Sequence, residues 1–321
     1  MKAVQYFKYG HDDLKNVEVP IPMPKKDEVL IKVEAVGINP IDFKIQHGFL
    51  RPLAPKKFPH IPGSDIAGEV VDVGPAVTKF KKGDKVVAML GTLGGGGLAE
   101  YAVAKQELTV LRPLELSAGE CAALGTPGLT AYQCLITGGV ILKKDAPPMN
   151  ILITAASGGV GHYAVQLAKL GNTHVTVTCG SRNIDFVKSL GADVVLDYRT
   201  PDGKALVGPS ARRYDAVVHC TSGISWSTFE NVLTSNGIVV DITPSPKSIT
   251  SSVVKRLSCS KKTLHPLFVS HKAEDLEYLM NLMLEGKLKT VVDSKYDFAN
   301  TQEAWAKSME GHAVGKIIVE M

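Results

Sequence analysis

A glycine-rich turn between an apolar run and an amphipathic segment is the feature of this sequence with the clearest chemistry. The apolar run 151–155 precedes Ala156-Ser157-Gly158-Gly159-Val160-Gly161, helical spacing continues to Leu170, and a second apolar run covers 174–179. Strand, glycine turn, helix and strand in this order place a pyrophosphate at a helix N-terminus, where free N–H groups and the helix dipole favour an anion. The turn has alanine at the first glycine of the usual fingerprint, and a βα turn without a ligand is the alternative interpretation.

The residues after the second predicted strand indicate which nicotinamide cofactor binds. A site for NAD usually carries an acid about 20 residues past the glycines, where it holds the ribose 2′-hydroxyl. This sequence has Ser181 and Arg182 there and no acid. Because a guanidinium binds a 2′-phosphate in a bidentate manner and a carboxylate repels it, we expect NADPH. The alternative is that Ser181 caps the following helix and that Arg182 is solvated.

The composition indicates the number of domains and argues against several classes of partner and location. A chain of 321 residues with 45% hydrophobic and 21% charged residues is typical of a soluble protein of two domains. The net charge of +4 is mildly basic and no dense basic run occurs, so we expect no nucleic-acid partner. The five cysteines lack C-x-x-C spacing, which favours reduced thiols. No apolar stretch matches a membrane span, and the N-terminal residues show no cleavable leader.

The strand and helix signals change along the chain. The first part is β-rich, with predicted strands at 28–36, 68–74, 84–89 and 99–103, which suggests a barrel-like domain. From about 126 strands alternate with helices, and predicted strands lie at 151–155, 174–179, 194–198, 216–220 and 237–242. This alternation predicts an α/β fold with a doubly wound parallel sheet, whose ligands bind at the carboxyl ends of the strands. A helix at 273–284 and a last strand at 316–320 are expected to return to the first domain.

Five segments in order now carry a family resemblance. They are 37–42 (GINPID), 62–70 (PGSDIAGEV), 125–132 (GTPGLTAY), 155–161 (AASGGVG) and 314–319 (VGKIIV). Together they resemble the zinc-free quinone oxidoreductases of the medium-chain dehydrogenase/reductase superfamily. The resemblance implies a GroES-like barrel domain over 1–125, to which 265–321 returns, and an NADPH-binding Rossmann domain over 126–264.

The zinc-dependent members of that superfamily differ from this chain at their metal ligands. Asn39 stands where they place a ligand cysteine, and Ser64 and Asp65 stand where they place a His-Glu pair. Their structural lobe of four cysteines is missing as well. Because a catalytic zinc needs three nitrogen, sulfur or carboxylate ligands, we expect no metal here.

The resemblance also implies an activity. Without a metal, the accessible chemistry is reduction of a C=C bond conjugated to a carbonyl, or of a quinone, by hydride transfer from NADPH to the β-carbon. The catalytic candidates are Asn39, Asp42, Lys44 and Asp65. The alternative interpretation of Asn39 and Asp42 is that they form a turn after a strand. Lys44 would then be a solvated lysine, and Asp65 would be a buried acid with a structural role only.

The cofactor contacts implied by the resemblance extend beyond the glycine turn. They are Thr126, Thr130, Ser157, Gly158, Gly159, Val160, Gly161, Ser181, Arg182, Tyr198, Cys220, Thr221, Ser222 and Lys316. Helix capping is the alternative role of the two threonines, and strand-end packing is that of the tyrosine.

Partners and location come from the resemblance alone. The chain is most similar to plant members of the family at the chloroplast envelope, which implies a chloroplast protein in peripheral contact with the inner envelope membrane, as a monomer or a homodimer. The loop 48–59 mixes apolar and basic residues, which suits an oxygenated, lipid-derived enone such as a long-chain γ-ketol. The alternative function is a low-activity NADPH-binding protein acting as a sensor or as a peripheral membrane or RNA-binding component.

Overall fold

The computed structural model describes residues 1–10, 13–51, 53–55, 57–91, 94–245, 248–252 and 260–321. Cys259 and two positions of the loop 48–59, Pro52 and Lys56, lie outside the described residues. The chain divides into two compact units. Unit 1 holds Met1–Leu129, Ser270–Gly286 and Thr290–Met321, and unit 2 holds Thr130–Val269 and Lys287–Lys289.

Unit 1 is built on a mostly antiparallel sheet of seven strands, in the order β14-β15-β3-β4-β5-β7 with β6 paired to β3. Its strands are β3 (Glu28–Ile38), β4 (Asp65–Val73), β5 (Lys85–Met89), β6 (Tyr101–Lys105), β7 (Thr109–Leu111), β14 (Val292–Asp297) and β15 (Lys316–Glu320). A separate pair, β1 (Lys2–Gln5) and β2 (Lys15–Glu18), is antiparallel. The helices are α1 (Pro40–Gln46), α2 (Ala118–Thr137, which continues into unit 2), α7 (Ala273–Leu284) and α8 (Thr301–Glu310).

Strand β3 is the central element of unit 1 because it pairs with β4, β6 and β15 along its length. Its inward side chains join a buried apolar core that contains Trp305 of α8. The Trp305 indole donates a 2.7 Å hydrogen bond to the Gln46 side chain, which ties α8 to α1. Near the end of β3 a Cβ on Gly37 would lie 2.3 Å from the Ala122 carbonyl oxygen, so only glycine lets α2 approach this closely.

Unit 2 contains an all-parallel sheet of six strands in the order β10-β9-β8-β11-β12-β13. The strands are β8 (Met149–Ile153), β9 (Thr173–Cys179), β10 (Val194–Asp197), β11 (Tyr214–His219), β12 (Leu233–Asp241) and β13 (Thr263–Pro266). The helices between them are α3 (Gly161–Ala168), α4 (Ile184–Ser189), α5 (Pro201–Ala205) and α6 (Trp226–Val232). The order reverses between β8 and β11, which is where a doubly wound sheet binds its ligand.

The predicted fold class, a Rossmann-type parallel sheet with a second, β-rich domain, is confirmed. The helix 273–284 and the strand 316–320 have the bounds that the sequence predicts. Strands β2, β7 and β13 and helices α1, α2, α5, α6 and α8 were not predicted from the sequence. The division between the units falls within α2, after Leu129, whereas the change of sequence pattern placed it after residue 125. No helix in the described part of the chain is long and apolar enough to span a membrane.

Candidate active site

The turn from β3 into α1 places two of the predicted catalytic residues next to each other in the interior. Pro40 starts α1, where its missing N–H costs nothing, and Asn39 is the extended residue before it. The Asn39 backbone N–H donates a 2.8 Å hydrogen bond to Asp42 Oδ2, so the carboxyl group folds back over the start of the helix. Both side chains are buried, with 3% and 5% of their surface exposed.

The Asn39 side chain links a cation to an anion. Its Nδ2 donates to Asp65 Oδ2 at 2.7 Å and to the Gly37 carbonyl at 3.3 Å, while its Oδ1 accepts from Lys316 Nζ at 2.6 Å. An ammonium group only donates and a carboxylate only accepts. The two charged partners therefore orient the amide, with its oxygen toward Lys316 and its NH2 group toward Asp65. Lys316 also donates to the Ile38 carbonyl at 2.7 Å and is 2% exposed.

Asp65, the first residue of β4, is fully buried and connects the cluster to α2. It accepts hydrogen bonds from the Thr126 backbone N–H at 2.8 Å and from the Thr126 hydroxyl at 2.7 Å. Pro127, inside the helix, has no N–H and disturbs the regular hydrogen-bond ladder there. A Cβ on Gly125 would lie 2.8 Å from Asp65 Cγ, so the glycine makes room for the carboxylate.

The charges of this cluster are strongly perturbed. Burial and, to a smaller extent, the neighbouring charge of Asp65 raise the pKa of Asp42 to about 7, against the Asn39 N–H, Lys316 and the Ser64 hydroxyl, which lower it. Burial lowers the pKa of Lys316 to about 8, against Asp65 and Asp42, which raise it. Asp42 is therefore partly protonated near neutral pH. The neutral form would hold its proton on Oδ1, because Oδ2 accepts the Asn39 N–H.

Ser64 lies next to this cluster, whereas Lys44 lies outside it. Ser64, beside Asp65, is buried, and its hydroxyl acts on the Asp42 carboxyl group, whose pKa it lowers, although no hydrogen bond of regular geometry joins the two. Lys44, the fourth catalytic candidate, is half-buried near the end of α1, and its ammonium group makes no hydrogen bond or ion pair within the described ranges. The structure thus joins Asn39, Asp42 and Asp65 with Thr126 and Lys316, and leaves Lys44 outside.

The glycine turn of unit 2 fits a pyrophosphate. It leads from β8 into α3, and the backbone N–H groups of Gly159, Val160 and Gly161 have no acceptor in the described structure. A Cβ on Gly158 would meet only the Ala155 carbonyl oxygen, at 3.4 Å, so the turn is open at that point. Ser157 is held by the Asn183 side chain, which donates to its hydroxyl at 3.0 Å. Unpaired N–H groups at a helix start suit an anionic phosphate.

The ends of β9 and β10 bring the predicted adenosine-side residues to one edge of the sheet. Ser181 and Arg182 are exposed in a short 3₁₀ turn after β9, and Ser181 makes no capping hydrogen bond. A Cβ on Gly180 would lie 3.5 Å from the Tyr198 ring, so the tyrosine after β10 lies beside that turn. The Arg199 guanidinium lies 5.6 Å from the centroid of the same ring. Arg199 was missed in the sequence analysis.

The residues after β11 are hydrogen-bonded to the residues after the neighbouring strand β8, where the glycine turn begins. The Cys220 backbone N–H donates to Thr154 Oγ1 at 2.9 Å, and the Thr221 carbonyl accepts from the Thr243 hydroxyl at 2.6 Å. Ser222 is exposed next to them. Burial raises the pKa of the Cys220 thiol to about 12, so it stays protonated. Thr154, missed from sequence, is the buried threonine that directly follows the apolar run of β8.

Thr130 and Thr126 lie inside α2, so neither caps a helix. Thr130 belongs to unit 2 and is buried there. In the described residues no group of three or more His, Cys, Asp or Glu is arranged to hold a metal ion.

Comparisons with known proteins agree with this architecture. The family model described as "Alcohol dehydrogenase GroES-like domain" matches residues 25–114, and the model described as "Zinc-binding dehydrogenase" matches residues 190–319. The chain is 60% identical to the chloroplastic quinone-oxidoreductase QR1 of Triphysaria versicolor and 58% identical to the chloroplast envelope quinone oxidoreductase homolog of Arabidopsis thaliana. Each alignment covers 100% of this chain and 98% of the relative.

Less similar relatives are named as oxidoreductases of alkenals and enones as well as of quinones. The NADPH-dependent alkenal/one oxidoreductase of Arabidopsis thaliana is 32% identical over 99% of this chain and 79% of the relative. The solved quinone oxidoreductase of Coxiella burnetii superposes with a TM-score of 0.90 at 31% identity, covering 100% of this chain and 99% of that one. The chain therefore belongs to the quinone oxidoreductase family of the medium-chain dehydrogenase/reductase superfamily, and it is an oxidoreductase with a nicotinamide cofactor.

Proposed function

We propose that this chain is an NADPH-dependent reductase of conjugated carbonyl compounds, either α,β-unsaturated ketones and aldehydes or quinones. The observation that carries the choice of NADPH is the edge at the ends of β9 and β10, where Tyr198 and Arg199 follow β10, and where Ser181 and Arg182, and no acid, directly follow Gly180. Two guanidinium groups and a hydroxyl suit a 2′-phosphate, and the carboxylate of Asp197, opposite the end of β9, already accepts the Arg199 backbone N–H.

The names of relatives support the class of acceptor. One relative is named an NADPH-dependent alkenal/one oxidoreductase and another, from Solanum lycopersicum, a 2-methylene-furan-3-one reductase. Both names describe a C=C bond conjugated to a carbonyl. Quinones, which name the more similar relatives, are conjugated dicarbonyls, so one type of hydride acceptor accounts for all of these names.

When bound, NADPH supplies the hydride that adds to the β-carbon of the acceptor. The chain's own residues then have two tasks. The N–H groups of Gly159, Val160 and Gly161 hold the pyrophosphate and so position the cofactor. In the buried cluster, Asp42 is partly protonated near neutral pH, which makes it our candidate for the group that supplies a proton to the reduced substrate.

We also propose a chloroplast location with peripheral contact to the envelope membrane, as the names of the relatives at 58–60% identity suggest. Lipid-derived enones and γ-ketols would be available at that surface. Exposed Phe49 and Leu53, with exposed Arg51 between them, give the loop 48–59 the apolar and basic character that such substrates require.

The experiment is a panel of acceptors assayed by loss of NADPH absorbance. It compares a short enone, a long-chain γ-oxygenated enone, a simple quinone and a saturated ketone, each with NADPH and with NADH. We expect turnover with the conjugated acceptors and not with the saturated ketone, and a preference for NADPH. Tight NADPH binding without turnover of any acceptor would contradict the proposal and favour a sensor or a membrane-associated binding protein.

A further inference from the structure

Lys316 is buried and hydrogen-bonded within the protein, whereas a lysine that binds a nucleotide needs a donor free for the ligand. Its ammonium group is 2% exposed, and both of its hydrogen bonds, to the Ile38 carbonyl and Asn39 Oδ1, go to the junction of β3 and α1. No carboxylate of the described residues lies within ion-pair distance of it. Burying a charge without a direct counter-ion costs free energy. We therefore ask which neighbouring groups the Lys316 ammonium group holds in place.

The hydrogen bonds show what is organised. Lys316 donates to the Asn39 amide and Asn39 donates to Asp65, which also accepts both hydrogen bonds from Thr126. The two ends of the amide face charges of opposite sign, so turning it over would place its oxygen against Asp65 and its NH2 group against the ammonium. Both amide hydrogens have acceptors in Asp65 and the Gly37 carbonyl, so Asn39 acts as a link of the cluster and has no donor left for a substrate.

Asn39 also holds the second acid of the cluster, Asp42. The Asn39 backbone N–H donates to Asp42 Oδ2, so a shift of Asn39 also moves the carboxyl group that would carry the proton. Lys316 is the first residue of β15, which pairs with β3 from Ile317 opposite Ile38 onward. The ammonium group therefore fixes the end of β3 to the C-terminal strand at the point where the cluster begins.

We propose that Lys316 is a positioning residue: acting through Asn39, it holds Asp42 and Asp65 in place for the reaction and is not itself a binding contact of the nucleotide. The proposal deepens the proposed function and rests on it. It differs in a measurable way from the cofactor-binding role that the family resemblance implies. A nucleotide contact would change mainly the dissociation constant of NADPH, whereas a positioning residue changes mainly kcat.

The test compares Lys316→Met with the wild type. Methionine keeps most of the length and removes the charge and both hydrogen bonds. Lys295→Met is the matched control, because Lys295 lies on the adjacent strand β14 and only makes an exposed ion pair with Glu320. We expect Lys316→Met to lower kcat for an enone by at least about tenfold, to change the Kd of NADPH by less than about threefold, and to raise the primary isotope effect with deuterated NADPH. The control should match the wild type.

A second measurement does not depend on turnover. In the wild type the side-chain amide of Asn39 should give a ¹H–¹⁵N resonance that is protected from exchange with water, because both hydrogens are bonded and buried. Lys316→Met should remove that protection, and Lys295→Met should preserve it. If Lys316→Met does not fold, Lys316→Gln, which removes the charge and shortens the side chain but keeps polar atoms in the buried site, replaces it in both measurements.

The outcomes separate the two proposals. No turnover by the wild type would contradict the proposed function, while the Asn39 resonance would still decide the role of Lys316. Turnover by the wild type together with a weakened Kd and an unchanged kcat in Lys316→Met would overturn the positioning role in favour of a nucleotide contact. An Asn39 resonance that stays protected in Lys316→Met would overturn it as well.

Discussion

Asp65 and Thr126 are joined by two hydrogen bonds, one from the threonine N–H at 2.8 Å and one from its hydroxyl at 2.7 Å. The pair fixes the first residue of β4 to the interior of α2 at the place where Pro127 interrupts the helical ladder. The carboxylate thus satisfies a backbone donor in the disturbed part of the helix and, through Asn39, connects it to the other charged groups of the cluster.

Asp65→Asn should destabilise unit 1 strongly. Three donors converge on the carboxylate, and an asparagine at this position offers only one acceptor oxygen and adds two donors of its own. The loss should be about 2–4 kcal/mol in the free energy of unfolding, measured by denaturant titration. Asp72→Asn on the same strand is the control, since that carboxylate is exposed and pairs with Lys82 on the surface. Equal, small effects of both variants would show that the buried contacts contribute little.

The buried carboxyl group of Asp42 should make the stability depend on pH. Its pKa is about 7 in the folded protein against an ordinary value of 3.8, so between these values the folded state binds the proton and the unfolded chain releases it. The free energy of unfolding of the wild type should therefore fall as the pH rises. Relative to Asp42→Asn, which has no such titration, the fall should be on the order of 2 kcal/mol between about pH 5 and about pH 7.

The measurement is a series of thermal or denaturant unfolding curves for both proteins across that pH range. Curves that run parallel would show that the Asp42 carboxyl group has an ordinary pKa in the folded state. In that case it would be ionised near neutral pH and could not supply the proton.

The glycine turn should tolerate a methyl group at one position and not at another. A Cβ on Gly161 would lie 2.4 Å from the Ala155 carbonyl oxygen and 2.6 Å from Ala156 Cα, which are backbone atoms that have no room to move. Gly161→Ala should therefore lower the free energy of unfolding by roughly 1–3 kcal/mol and weaken NADPH binding. Gly158→Ala should fold as the wild type does, since its Cβ meets nothing closer than 3.4 Å, and yet should weaken NADPH binding by filling the open side of the turn.

Fluorescence titration with NADPH, alongside denaturant unfolding, separates these effects. Gly158→Ala with unchanged affinity would show that the pyrophosphate does not approach this turn.

The exposed arginine after β9 should decide the choice of cofactor. Arg182→Ala should lower kcat/KM for NADPH by about 10- to 100-fold, since a charge-assisted contact to the 2′-phosphate is lost, and should leave kcat/KM for NADH nearly unchanged. Lys188→Ala, an exposed cation near the end of the next helix, serves as the control for net charge. Equal losses with both cofactors would place Arg182 outside the phosphate site.

The parallel sheet and the glycine turn could be predicted from sequence because short-range patterns specify them. An apolar run that leads into the glycine turn marks β8, a run between Gly171 and Gly180 marks β9, and the turn between β8 and α3 needs glycine for local reasons. The same holds for α7, whose buried residues Leu276, Leu279, Met280 and Met283 follow helical spacing. The last strand, β15, has an apolar run of three residues, Ile317 to Val319, shortly after Gly315.

Long-range contacts could not be predicted in this way. The bond between Lys316 and Asn39 spans nearly the whole chain, and no local pattern reports that the lysine is buried. Helix α2 was missed because Gly125, Pro127 and Gly128 indicate a turn, and tertiary packing against Gly37 and Asp65 overrides that preference. Arg199 was passed over because its meaning depends on the neighbouring Gly180 and Tyr198, which come together only when β9 and β10 pair.

The most direct test of the account follows the hydride itself. The protein is incubated with an enone and with NADPH that carries deuterium at the transferable C4 position, and the product is examined by NMR. The account predicts a saturated ketone with deuterium on the β-carbon and a proton from solvent on the α-carbon. Deuterium on the carbonyl carbon of an allylic alcohol would contradict it, because the enzyme would then reduce the C=O bond.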